Sequence, residues 1–596
     1  VLLLTLVVLA ASTAGVAGPM EQEKLYDVPT ANRVLPDRLV ELMRKALRRT
    51  DALTRIEAMN DIGRHEMTVM ADDVIAGLDD ERALVRGAAV DTLDALDARQ
   101  ASERLMAIIT LAPDVFPGPL HAEQIQVADD MLGRWDTDAA AGTWTQRLGR
   151  SDLSTALRAS AARALGQVKT DHADALQSLQ QVAGAPGGHP ALRLVAAEAL
   201  GRAVDDGLVG FAEQLRAGGG PLGAMLAVRL VASDDGDAAV TLLRRLADEA
   251  DPAVQAAALE HLRMIDPALV WPFATQLLDS ADPKVRLSVV RSLATRTEVD
   301  AVELLMPMLN DVHPEVRDAG RVSLEELAKT DSLFGPILDA VRAEIDRAVK
   351  ETDERTAERW RAAEQVALLV GYLDDKPAAG KLVTMVEYPR TEPRLAAVDS
   401  LRSLDVADTR PPLIELLALQ LDRVQERAAT VEHAEDREEV MALFRANRSD
   451  SEVAAEICQT MGVWRVDDAD PVMRRLVPKK VPFSIRARVS AIWGLGLIHE
   501  DEEDAGLARQ LSGRLTDLSI MEPEADDVRE MSAVSLGRMK ARSQLGRVRG
   551  RYGTDAEIMS IRSACRWAIG RITGETPPAI EPPDYPVADA FVTPID

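Results

Sequence analysis

Three stretches of the chain, "DPAVQAAALEHL" (251–262), "DPKVRLSVVRSL" (282–293) and "HPEVRDAGRVSL" (313–324), follow one another at a fixed interval of 31 residues. A period of this size marks a chain built by stacking one small helical or strand unit on the next. With Val254, Val285 and Val316 as position zero, small residues stand at plus three or plus four, and Leu262, Leu293 and Leu324 stand at plus eight. Offsets of four and eight share one face of a helix. The same register reaches upstream to Gly223 and Leu192.

Looser copies continue on both sides, with zero positions at Val85, Leu157, Trp360, Val453, Ile485, Val528 and Ile561, and one ending at Leu401. Less regular copies are expected at 51–63, at 121–133 and near 424, giving roughly fifteen units between 37 and 572. Each interval holds a second apolar stretch, such as Trp271, Phe273, Leu277 and Leu278. The unit is therefore a helix A, a turn and a helix B. Asp251 and Asp282 stand just before Pro, where a carboxylate caps helix B and Pro opens it; His189 and His313 take the same place. Neither helix is long enough to stand alone, and stacked pairs bury one continuous core. Only 3% of residues are aromatic and no stretch alternates Val, Ile and Thr, so the expected fold is all-α.

The pattern D-P-x-V-R-x-x-A-x-x-A-L-G, carried by 282–293, by "HPALRLVAAEALG" (189–201) and by "TALRASAARALG" (155–166), resembles the short HEAT repeats of the phycobilin lyase type. The resemblance covers almost the whole chain beyond its N-terminal segment. It implies a right-handed α–α superhelix, a HEAT-repeat solenoid, with the B helices on the inner surface. It implies no particular activity, because such repeats serve as scaffolds in unrelated settings. The expected organisation is an N-terminal segment (1–18), a linker (19–36), an array (37–330), a long helix with an irregular repeat (331–392), a second array (393–574) and a Pro-rich tail (575–596).

The run "VLLLTLVVLAASTAGVAG" carries no charge and reads as an export signal with a cleavage site after Ala14, or alternatively as a membrane anchor. The expected location is a bacterial periplasm or beyond it. Cys458 and Cys565 lie in separate apolar-periodic helices and are expected as buried free thiols. Asp and Glu number 97 against 69 Lys and Arg, a net charge of -28, which argues against a nucleic-acid partner.

The candidate functional residues are few. Arg recurs at plus one (Arg86, Arg158, Arg193, Arg286, Arg317, Arg361, Arg394, Arg486, Arg529 and Arg562), in positions suited to carbonyls and Asp at a neighbouring turn. Plus six alternates as Arg163, Glu198, Arg229, Glu260 and Arg291, a ladder that neutralises its own face. Gly133, Gly166, Gly201, Gly494, Gly537 and Gly570 end B helices, for close approach or as helix ends. His65-Glu66 and His499-Glu500 each make half of a zinc-protease motif, with Val69 and Glu503 where a second His is needed. The acidic stretch at 500–504 precedes a helix, where carboxylates are favoured. Trp135, Trp271, Trp360, Trp464, Trp493 and Trp567 suit the core, and Trp144 is the tryptophan expected to be exposed.

The rhythm breaks at 110–120, 331–359 and 515–527, where recognition loops are expected. No catalytic set, metal site or cofactor site is legible. These features favour a non-catalytic scaffold for a protein or peptide over a metal-dependent or lyase-type enzyme built on the same repeats.

Overall fold

The computed structural model describes residues 37–110, 122–168, 172–249, 251–431, 437–479, 482–554, 558–575 and 577–578. The N-terminal segment (1–18), the linker (19–36), nearly all of the 110–120 stretch, His433 and most of the tail lie outside the described residues. Among the described residues every regular element is a helix, and none is long and apolar enough to cross a membrane. The chain forms two compact units, Leu35–Ile337 and Leu338–Glu581.

The repeat is built as its caps dictate. Asp251 accepts hydrogen bonds from the N–H groups of Ala253 and Val254 at 3.0 and 3.2 Å, and Asp282 from that of Lys284 at 2.7 Å. Pro252 and Pro283 open the helices Pro252–Ile265 and Pro283–Leu293, while His189 and His313 hold the cap position without a side-chain bond. Leu262, Leu293 and Leu324 are fully buried. Truncating such a leucine to alanine typically costs about 2–5 kcal/mol. The return from helix B to the next helix A turns on a left-handed aspartate: Asp97, Asp136, Asp374 and Asp405 have φ of 46°, 58°, 51° and 45°.

Successive B helices meet through a second rule. In many units position plus seven carries a small or hydroxylic residue that lies against the preceding B helix, while Leu230, His261 and Leu369 take that place in others. Thr92, Ser323, Ser400 and Ser535 donate to the carbonyls of Met59, Val290, Ala367 and Ile492 at 3.0, 3.3, 2.8 and 2.8 Å. Each acceptor stands at plus five of the preceding unit. Opposite plus seven stands the glycine at plus nine. A Cβ on Gly166 would come within 2.6 Å of Ala199 Cα, and one on Gly537 within 2.7 Å of Ala568 Cα. These glycines serve close approach and not helix ending. Gly570, on the last B helix described, shows the converse, since a Cβ there would meet nothing nearer than the Glu575 carbonyl at 3.5 Å.

From Ala52–Arg64 to Met559–Thr573 about fifteen B helices follow one another, with three corrections to the expected register. Ile485 is 49% exposed while Ala487 and Leu495 are buried, so Ala487 is the zero position of that unit. Ala362 likewise replaces Trp360, with Val366 and Val370 buried at its plus four and plus eight. The copy near 424 is not a B helix. Val424 lies on Arg410–Val431, the A partner of Arg437–Val463. The stretch from 331 is the long helix Asp331–Glu354.

Candidate functional site

The plus-one arginines are structural. The guanidiniums of Arg86, Arg158, Arg193, Arg394 and Arg562 donate to the carbonyls of Asp80, Leu148, Ala183, Val386 and Tyr552 at 2.7–3.1 Å, each at the end of the preceding A helix. A cation there meets the negative end of the helix dipole and satisfies an orphan carbonyl. Arg529 does the same with Leu515, while Arg286 and Arg317 bond Ser280 and Asp311. Two members were misplaced by the register. Arg361 lies over the Trp360 ring and Arg486 bonds Glu456; Arg488 holds the true position in the latter's unit, Ala363 stands there in the former's, and Arg55 fills it in the unit at 51–63.

The plus-six ladder is partly made. Arg229 reaches Glu198 at 3.0 Å, whereas Glu260 takes Arg263 of its own helix, with Arg291 nearby. Trp144 is not exposed. It is completely buried, and its Nε1–H donates to Asp129 at 2.9 Å, beside Arg147 and Ser160 on the same carboxylate. Trp271, Trp464 and Trp567 are half-buried under Arg296, Arg410 and Arg571, so they border the core and do not replace leucine in it.

The acidic stretch is committed to the fold. Asp504 caps Ala505–Leu515 through the Leu507 N–H at 2.6 Å, and Arg474 with that N–H holds its carboxyl down at about 2. Glu500 pairs with Arg465 and Arg571, Asp501 with Lys540, and His499 with Asp470. His65 closes the Ala52–Arg64 helix. Cys458 and Cys565 are buried free thiols, and burial pushes the Cys458 thiol well up. Among the described residues no three His, Cys, Asp or Glu converge as metal ligands.

Two features remain uncommitted, both in the second unit. The first is the expected loop at 515–527. The Glu524 N–H closes it on the Asp517 carbonyl at 3.1 Å, and Lys479 bonds Asp517 and the Glu522 carbonyl. Glu524 is buried and accepts from both terminal nitrogens of Arg488 at 2.8 Å, and from Arg514 at 3.1 Å. On this base Ile520 is 99% exposed and Met521 94%.

The second is a depression of about 460 Å³ containing Arg355, Arg390, Arg394, Arg423, Arg427 and Arg445, against only Glu387, Glu392 and Asp450. Arg394 is buried, with its fork on Gln420 and Asp450 at 2.6 and 2.8 Å. Arg427 takes the other oxygen of Asp450. Arg423 grips both oxygens of Glu387 at 2.9 and 2.7 Å. Arg390 lies 4.6 Å from the Trp360 ring centre. Arg445 is exposed and meets no hydrogen-bond or ion-pair partner among the described residues. A neighbouring depression of about 500 Å³ shares Arg355 and Glu387 and is lined by Val383, Pro412, Leu416 and Leu419 together with the carboxylates of Asp353 and Glu415. Of these arginines only Arg394 stood out in the sequence. Arg423 and Arg427 share the helix Arg410–Val431, Arg445 lies on Arg437–Val463 and Arg355 and Arg390 on turns, and only the tertiary fold brings these together.

Helix pairs stacked B upon B by one repeating rule define an α-helical repeat protein. Residues 239–325 match the HEAT repeats family. Nothing in the match singles out the phycobilin lyase type. No curated protein matches the chain. Among solved structures, importin beta crystallised in polyethylene glycol is similar at 13% identity and a TM-score of 0.48, covering 90% of this chain and 82% of that one. Kap95 in its complex with Nup1 is similar at 12% identity and a TM-score of 0.49, covering 90% and 78%.

Proposed function

We propose that the protein is a non-catalytic scaffold that binds a protein or peptide partner, exported by way of the apolar run at 1–18 to act in a bacterial cell envelope. The observation that carries the binding role is the tethered loop: Ile520 and Met521 stand in open solvent on a base locked by the buried Arg488–Glu524 pair. Exposed apolar side chains held on an ordered frame mark a docking surface, and the frame reduces the entropy lost on binding. The net charge of -28 disfavours polyanions as partners.

Capture from an envelope fraction tests this reading, with the full chain and the I520D/M521D variant as baits. The partner recovered by the former is expected to be lost from the latter at unchanged melting temperature. Recovery of no partner by the unaltered chain ends the scaffold reading. Equal recovery by both ends the role of the loop. N-terminal sequencing of the native protein tests export, and an intact residue 1 on a cytoplasmic chain refutes it.

A further inference from the structure

We propose that the paired depressions between the segments 351–394 and 410–450 bind a peptide in which carboxylate side chains are followed by an apolar one. The proposal rests on the protein-binding reading above and assigns it a second, chemically defined contact. Six guanidiniums stand against three carboxylates in the first depression, and with Asp353 and Glu415 of the second the pair still holds one cation more than it has carboxylates, in a chain whose overall balance is -28. Arg390, Arg394, Arg423 and Arg427 are paired with Glu392, Asp450, Glu387 and Asp450, so the excess rests on Arg445 and Arg355. Arg445 is unpartnered among the described residues, and Arg355 has only the Glu387 carbonyl at 3.4 Å. Arg355 follows the Asp331–Glu354 helix at a left-handed φ of 56° and lines both depressions.

The ligand chemistry is displayed by the protein's own groups. Asp450 is held between Arg394 and Arg427, and Glu387 is gripped by both nitrogens of Arg423. Guanidinium forks match carboxylates in this two-point geometry. An incoming carboxylate beside Arg445 would find the same chemistry, next to Arg390, which lies over Trp360 and pairs with Glu392 at 3.1 Å. The adjoining depression selects peptide over free phosphate, because Leu416, Leu419, Val383 and Pro412 offer an apolar side chain contact and a phosphate none, while Asp353 and Glu415 on its wall repel a free anion. Glu387, Glu392 and Asp450 would also repel a dianion more than single carboxylates.

Fluorescence anisotropy with the full-length protein and labelled peptides is the test. The probes are a nonapeptide with three acidic residues followed by two leucines, its Asn/Gln counterpart, its Ser-for-Leu counterpart, and inorganic phosphate as competitor. The acidic–apolar peptide is expected to bind, and each counterpart to bind at least about ten-fold more weakly. Arg445→Glu should weaken the parent peptide by about ten-fold or more at unchanged melting temperature, since that side chain is exposed and unpaired. Leu419→Asn should weaken the parent peptide and leave the Ser-for-Leu peptide unaffected.

Absence of binding, indifference to Arg445→Glu, equal binding of the Asn/Gln peptide, or displacement by phosphate alone would each overturn the proposal. The scaffold reading is judged separately by envelope capture. A partner retained by the unaltered chain while the acidic peptide fails to bind rejects the pocket and leaves the scaffold standing.

Discussion

Arg488 and Glu524 face each other with two parallel hydrogen bonds of 2.8 Å, both side chains buried, although 36 residues separate them. The arginine belongs to the repeat and the glutamate to the loop that interrupts it, so one pair joins the regular array to its irregular insertion.

Removing that glutamate leaves a buried guanidinium without its counter-charge. Glu524→Gln is expected to cost about 3–5 kcal/mol in urea unfolding, the usual penalty for breaking a buried pair from one side. Burial alone would raise the Glu524 carboxyl, but the bonds and charge of Arg488, with the Ala525 N–H and Arg514, hold it below its ordinary value of 4.5. A depressed carboxylate contributes stability above its unfolded value and loses it as pH falls through the folded one. The unaltered chain should therefore lose stability below pH 4.5 more steeply than Glu524→Gln. Parallel pH slopes would refute the assignment.

Asp129 tests the other buried node. It accepts from Trp144, Arg147 and Ser160, so Asp129→Asn strands the Arg147 charge and is expected to cost about 3–5 kcal/mol. The double variant D129L/R147M removes both charges and should recover part of the loss. Chemical denaturation of the unaltered chain, D129L, R147M and D129L/R147M measures the coupling, and strict additivity would contradict it.

The plus-nine glycines give a paired prediction. Gly166→Ala drives a methyl into the backbone at Ala199 and should destabilise by about 1–3 kcal/mol. Gly570→Ala makes only an ordinary contact, with the Glu575 carbonyl at 3.5 Å, at the same repeat position and should be neutral or stabilising by up to about 1 kcal/mol, the helix-propensity gain. Thermal melting of both variants distinguishes a packing rule from a general need for glycine.

Cys458 and Cys565 should be silent toward a thiol reagent in the native protein and react together once the chain is unfolded, because both are buried and the Cys458 thiol is pushed up by burial. Rapid labelling under native conditions would contradict their burial.

Much of the fold was legible because its signals are local. Asp251 before Pro252, Val254 and Leu262 at four-residue multiples, and the plus-one arginine all act within a single helix–turn–helix. The errors arose where local pattern admits two answers. Trp360 and Ile485 are apolar and two residues ahead of the true zero, so the spacing fits either way until burial decides. Trp144, flanked by Gly142, Thr143 and Thr145, looked exposed because its buried partner, Asp129, lies on another helix. The loop at 515–527 announced itself by breaking the period. The arginine depression did not, since Arg355, Arg390, Arg423 and Arg445 lie far apart in sequence.

The capping arginines shape how anions reach this molecule. Arg86, Arg158, Arg193 and Arg562 fold their cations onto main-chain carbonyls, so each carries out its binding inside the chain. The far field is set by the surplus carboxylates, and an acidic peptide is repelled at a distance and held at contact. Salt screens the far field first, over a Debye length of about 8–10 Å, and weakens close pairs less. Added salt should then quicken the arrival of such a peptide even as it shortens the stay, the reverse of the slowing seen when opposite charges steer two partners together.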